Sequence, residues 1–193
     1  MSKFTARIIV LLFSSLVLVF IISPLLGMYL NPGNLAFTIQ DQQVLDSIRF
    51  TLVASAVSTF VFGFFALPFA YLLARKNFFL KPLVLAIIDL PLVIPHASAG
   101  IALLSVVNRD TLLGKFASSI GLDIVSAPAG TIIAMAFVSL PFFINSARDG
   151  FANVPLRLEK VARSMGASPL KVFFSVSVPL AKRNIISGTV MMF

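Results

Sequence analysis

Residues able to do chemistry are sparse in this sequence. Its seven acids are scattered, it has one histidine, His96, and it has no cysteine. Without cysteine there are no disulfides, zinc thiolates or iron–sulfur clusters, and a lone His96 argues against a histidine-built metal site. A phosphate-cradling P-loop needs glycine, four residues, then Gly-Lys-Ser/Thr. Here Gly114-Lys115 is followed by Phe116, and position 109 is arginine. Neither Gly-x-Ser-x-Gly nor His-Glu-x-x-His occurs. The sequence therefore offers no catalytic residue, no metal ligand set and no nucleotide or cofactor site of its own. Two places remain of chemical interest. Asp89 is the one acid inside an apolar block, and intramembrane acids are functional candidates by default. The other is a charged segment, Arg148 to Arg183.

That segment reads as two short helices. Asn153 is placed to cap the first, with Pro155 in its first turn. Glu159 and Arg163 form an i,i+4 pair in the favourable order. Leu158, Val161, Ala162 and Met165 make an apolar stripe. Gly166 suits the left-handed position that closes a helix. Ser168 can cap the second helix, with Pro169 at its first position and Leu170, Phe173 and Phe174 following. Pro179 is expected to end the unit. A helix of about eleven residues is marginal alone in water, so its stripe must pack against something. That is either its own membrane domain or a partner protein.

The elements that position these residues are membrane spans. Hydrophobic residues make up 59% of the 193 and charged ones 11%, against about half and a quarter in a soluble domain. The mean hydropathy is +1.02. Apolar blocks run over residues 8–29, 50–74, 82–107 and 128–147, and a last one starts at Ile185. A block of 22 residues is roughly 33 Å of helix, enough for a bilayer core, whereas the nine from Ile185 to Phe193 cover only about 14 Å. The expectation is an all-α membrane protein: a single transmembrane domain over 1–193 with at least four full spans, a fifth cut short, and a cytoplasmic segment at 153–179. The first block is read as a retained span, a cleaved signal peptide being the alternative.

Charge sets the orientation. With the N terminus inside, the inner segments carry twelve Lys and Arg and the outer ones Arg49, Arg109 and Lys115, accounting for all fifteen. Such a bias follows the positive-inside rule and puts residues 148–183 in the cytoplasm. The net charge of +8 therefore reflects topology. It forms no basic stripe with interleaved aromatics, so nucleic acid is not an expected partner.

The charged segment resembles the membrane subunits of ABC importers. These carry Glu-Ala-Ala, three residues, Gly, nine residues, then Ile-x-Leu-Pro. Here the corresponding residues are Lys160-Val161-Ala162, Gly166 and Val176-Ser177-Val178-Pro179. The acid is displaced by one residue, to Glu159. Residues 88–104, 138–145 and 147–151 are similar to the molybdate/tungstate and sulfate permease branch, of the archaeal molybdate/tungstate type, and the likeness covers roughly residues 50–193. The resemblance implies a homodimer of permease subunits in the cell membrane, two ATPase subunits that carry ATP and Mg, and an extracytoplasmic oxyanion-binding protein. It implies a coupling helix seated on the ATPase. Glu159, Lys160, Val161, Ala162, Arg163, Met165, Gly166, Ala167, Ser168 and Pro169 would belong to that docking segment.

Within such a transporter, Asp89, Pro91, Pro95, His96, Ser98 and Gly100 are candidates for the translocation path. Pro91 and Pro95 remove two backbone hydrogen bonds and bend the span. Freed backbone groups and small side chains there could hydrogen-bond a tetrahedral oxyanion. An acid, by contrast, repels an anion, which leaves Asp89 equally readable as a structural group. The rival readings are an importer for sulfate or another substrate, a secondary transporter or channel without an ATPase, and a passive membrane anchor.

Overall fold

The fold is described from a computed structural model, which describes residues 3–30, 41–121, 124–125 and 128–193. The chain divides into two compact units, Met1–Arg49 and Phe50–Phe193.

In the first unit α1 spans Lys3–Leu30. Its 28 residues make roughly 42 Å of helix. Leu11, Phe13, Leu16, Phe20 and Leu25 are distributed around it, so the helix is apolar on every side. Residues 31–43, whose polar sequence with Pro32, Gly33 and Asn34 reads as a loop, lie almost wholly outside the described residues.

α2, Gln42–Arg75, is 34 residues long. Its buried face is a run of small residues, Ala54, Ser58, Gly63, Ala66 and Ala70, closed by Leu73. Phe60, Phe64 and Phe65 point outward. Small residues let helix backbones approach in a membrane, where apolar side chains gain nothing from leaving lipid.

The third apolar block is two half-helices, α3 over Lys81–Val93 and α4 over His96–Val107, bent by 118°. Pro91 does not make the break; it is buried inside α3. The break lies at Ile94 and Pro95, whose ψ values of 134° and 135° are extended. A residue before proline is driven out of the helical region by the ring, which accounts for Ile94. Next comes α5, Leu112–Ser119, within residues 108–127, which read from sequence as a polar loop with a semi-apolar middle. Thr111 caps it, accepting from the Gly114 N–H at 3.1 Å.

α6 spans Pro128–Asn153 and α9 spans Val178–Met192. They cross closely. A Cβ on Gly150 would stand 2.5 Å from Asn184 Cβ, and one on Gly188 would stand 3.2 Å from the Phe143 backbone. Ser146 donates to the Asn184 carbonyl at 2.7 Å. The core joins this pair to α2 through Ala70, Leu73, Phe143, Ala147 and Phe151. Among the described residues, α2 and α6 are long and apolar enough to cross a membrane, and α3 with α4 make a third span if counted together. The fold is a helical membrane bundle, as the sequence implies, but of the four full spans expected two are continuous helices of sufficient length among the described residues and a third is the broken pair.

Candidate functional site

The charged segment forms two helices, but with boundaries other than those expected. α6 runs on to Asn153, so that residue ends a helix instead of capping the next. The first short helix, α7, spans Leu156–Ser164 and starts after Pro155, which is its N-cap. The intervening Val154 N–H is already used, bonding to the Phe151 carbonyl at 3.0 Å.

Gly166 ends α7 as its position suggests. Its φ is +84°, its N–H bonds to the Arg163 carbonyl at 2.9 Å, and the Ala167 N–H bonds to the Ala162 carbonyl at 3.1 Å. That pair of bonds is the Schellman closure, which satisfies the last carbonyls of a helix. Ser168 then caps α8, Pro169–Val172, accepting from the Lys171 N–H at 3.3 Å with Pro169 in the first turn.

Pro179 does not end the unit. The chain passes from α8 through a π-helical turn, Phe173–Ser177, directly into α9, with Pro179 in the first turn of α9. The Val178 N–H reaches back five residues to the Phe173 carbonyl. A turn widened in this way makes room for a proline ring that would otherwise meet the carbonyl four residues back.

Glu159 is the one buried residue of α7. It does not pair with Arg163. Its partners come from two other parts of the chain, α2 and the π-turn. Arg75, the last residue of α2, donates from Nη2 and Nε to Oε1 at 2.6 and 2.9 Å. Ser177 in the π-turn donates to Oε1 at 2.8 Å, and Tyr71 donates to Oε2 at 3.0 Å. Arg75 Nη2 also donates to the Val154 carbonyl at 3.1 Å. Burial opposes the charge on Glu159. The hydrogen bonds from Ser177, Arg75 and Tyr71, with the Arg75 charge, outweigh it and hold the carboxyl below its ordinary range. Tyr71 also packs edge-on against Phe151 and Phe173, at 5.3 and 5.0 Å. In sequence Arg75 reads only as a charge closing a span. The available hint is Tyr71, one of two tyrosines, four residues before Arg75 and so on the same helix face.

With its acid turned inward, α7 turns its apolar stripe outward. Leu158 is 45%, Val161 57% and Met165 83% exposed. Ala162 and Ala167 are half-buried, while Lys160, Arg163, Gly166, Ser168 and Pro169 are exposed. The stripe thus does not fold back on its own membrane domain. Leu156 and Leu170 extend the exposed apolar surface on either side.

The path candidates are not gathered into one polar site. Asp89, half-buried in α3, accepts from Asn145 Nδ2 of α6 at 2.6 Å. Ser98 is exposed. Gly100 borders a cavity of about 650 Å³ whose other walls, including Phe50, Leu103, Leu104 and Val107, are mainly apolar. Pro91 is buried, and Pro95 marks the helix break. His96 opens α4, and its side chain lies outside the described residues.

The family described as binding-protein-dependent transport system inner membrane component matches residues 66–193. That stretch holds the end of α2, the broken pair and the whole α7–α9 unit. This chain belongs to that family. Among curated relatives, the molybdate/tungstate transport system permease protein of Methanocaldococcus jannaschii is 38% identical over 193 residues, all of this chain and 75% of that protein. Its namesake in Pyrococcus abyssi is 41% identical over 181 residues, 92% of this chain and 68% of the relative. That of Pyrococcus furiosus is 45% identical over 154 residues, 80% of this chain and 57% of the relative. This inner membrane component is a transport permease and not an enzyme, and the family implies an ATPase and a substrate-binding protein as partners.

Proposed function

We propose that this chain is the membrane-spanning subunit of an ATP-binding-cassette importer for molybdate or tungstate. The substrate reading rests on three molybdate/tungstate transport permeases to which this chain is 38–45% identical. The mechanism rests chiefly on one observation: α7 is anchored by a buried charge while its apolar stripe stays outside. A short helix presenting Leu158, Val161 and Met165 fits a groove on another protein, the helix-in-groove mode of recognition. The partner ATPase, which holds ATP and Mg, supplies that groove. Nucleotide-driven closure then shifts α7–α8 as a body, and the membrane helices follow. Two permease copies, two ATPases and an extracytoplasmic oxyanion-binding protein complete the transporter. The N terminus and residues 148–183 face the cytoplasm, a placement supported by the twelve-to-three division of basic residues.

The test is reconstitution with the ATPase and the binding protein in liposomes. ATP hydrolysis should rise with binding protein loaded with molybdate or tungstate and stay basal with the sulfate-loaded form. Stimulation by sulfate alone would reassign the substrate; uptake without ATP would discard the importer reading. Because the chain lacks cysteine, single probes report orientation. A cysteine at exposed Ser119 should react with impermeant reagents in intact cells and one at exposed Ser164 should not. The reverse pattern refutes the orientation.

A further inference from the structure

We propose that Arg75 and Glu159 form a mechanical joint tying α7 to α2, so that a push on the docking helix reaches the membrane bundle through α2. The inference rests on the proposed ATPase-coupled function and assigns Arg75 as a positioning residue within it. Helix α7 is short, with Pro155 at one end and the Gly166 turn at the other. Its apolar side chains are exposed, and Glu159 is its one buried residue. Force on α7 therefore leaves by its two chain ends or by Glu159. The ends lead to α6 and to α8–α9. Glu159 leads straight to α2, at Arg75, 84 residues away in sequence.

The joint is built to resist sliding. An apolar contact has no preferred direction, whereas charge-assisted hydrogen bonds fix both distance and angle. Arg75 grips Glu159 and the Val154 carbonyl with the same Nη2, at 2.6 and 3.1 Å, so it holds α7 and the corner before it together. Ser177 closes on the same carboxylate oxygen from the π-turn at 2.8 Å. Tyr71 holds the second oxygen while its ring is set among Phe151 and Phe173. The Arg75 and Glu159 side chains are only 10% and 6% exposed, so solvent ions screen the pair little. Beyond the joint, α2 runs 34 residues, roughly 50 Å. Its small-residue face lies in the core, where a shift cannot be absorbed by flexible side chains.

The experiment uses the assembled transporter in proteoliposomes and reads hydrolysis and uptake on the same sample, per assembled complex. Arg75→Gln removes the charge but keeps hydrogen-bonding atoms; Arg75→Lys keeps the charge. Arg75→Gln should hydrolyse ATP near the wild-type rate while uptake per ATP falls about fivefold or more, the lower range of coupling between sites. Arg75→Lys should recover part of that ratio. Spin labels at exposed Leu72 and Lys160 should keep one separation in nucleotide-free and vanadate-trapped wild type, and two in Arg75→Gln. An unchanged ratio in Arg75→Gln overturns the joint. So does a wild-type label separation that changes between the two states. If Arg75→Gln does not assemble, Arg75→Lys with the label pair decides on the same criteria. A wild-type complex with no ATP-dependent uptake would sink the functional reading itself, which is a different result.

Discussion

Arg75 and Glu159 meet at 2.6 Å in a buried site, across 84 residues of sequence. Their meeting explains the odd build of α7, which keeps a charge inside and its apolar residues outside. A buried ion pair is seldom a net gain over apolar packing, because both ions lose water. Its return here is direction: the pair, with Ser177 and Tyr71, leaves one face of α7 free and fixes which face that is.

The carboxyl of Glu159 is held below its ordinary value, so it binds fewer protons folded than unfolded at intermediate pH. The stability it contributes is complete above the ordinary glutamate value and is lost as pH falls through the lowered folded one. Hydrogen exchange at residues 156–165, corrected for intrinsic rates, should show protection unchanged from neutral pH down to the ordinary carboxylate range and then declining. Glu159→Gln should be poorly protected throughout and lack the acid decline. A decline already present near neutral pH would contradict this assignment.

Gly166 stands at φ +84° with nothing within 4 Å of a Cβ built there. The cost of a side chain is thus backbone strain alone. Gly166→Val should lower the stability of the α7–α8 turn by about 1–2 kcal/mol, the cost of a left-handed residue. Gly166→Asn should come close to wild type, since asparagine tolerates that region. Thermal melts of the assembled complex, with transport assayed alongside, check the order. Equal losses for Val and Asn would show that space and not φ decides.

Gly188 poses the opposite case. A Cβ there would press on the Phe143 backbone at 3.2 Å and on Ser146 Cβ at 3.0 Å, so α6 and α9 must separate. Gly188→Ala should cost about 1–3 kcal/mol, the range for overpacking. Gly100→Ala, where a Cβ meets nothing within 4 Å, should cost nothing. Melting of the two variants in detergent separates them, and a Gly188 variant as stable as the Gly100 one would refute the close crossing.

What the sequence disclosed was local. Gly166, Ser168 and Pro169 act within a few residues of themselves, so their roles followed from type and spacing. Apolar blocks long enough to span a bilayer were equally plain. The bend in the third block was legible in part: Pro95 marks it, whereas Pro91, read the same way, lies inside α3. Four things were not legible. Arg75 lies 84 residues from Glu159, and no local rule pairs them; the nearer Arg163 offered a plausible but wrong partner. Pro179 looked like a terminator because the π-turn that accommodates it has no composition of its own. Asn153 looked like a cap because Pro155 follows, although α6 had not yet ended. Asp89 gave no sign of Asn145, which approaches from another helix.

The central claim is that the outward stripe of α7 is the surface an ATPase grips. Met165 is its most exposed member at 83%, and Val161 lies one turn before it. Burying a side chain of this size is worth roughly 1.5–3 kcal/mol, and 1.4 kcal/mol is about a decade in affinity. Affinity between the ATPase and each permease variant in detergent is the direct measurement. Met165→Asp should weaken binding at least about tenfold, while Met165→Leu, which keeps an apolar side chain of similar size, should bind nearly as wild type does. If Met165→Asp binds as tightly as wild type does, the stripe is not the docking surface.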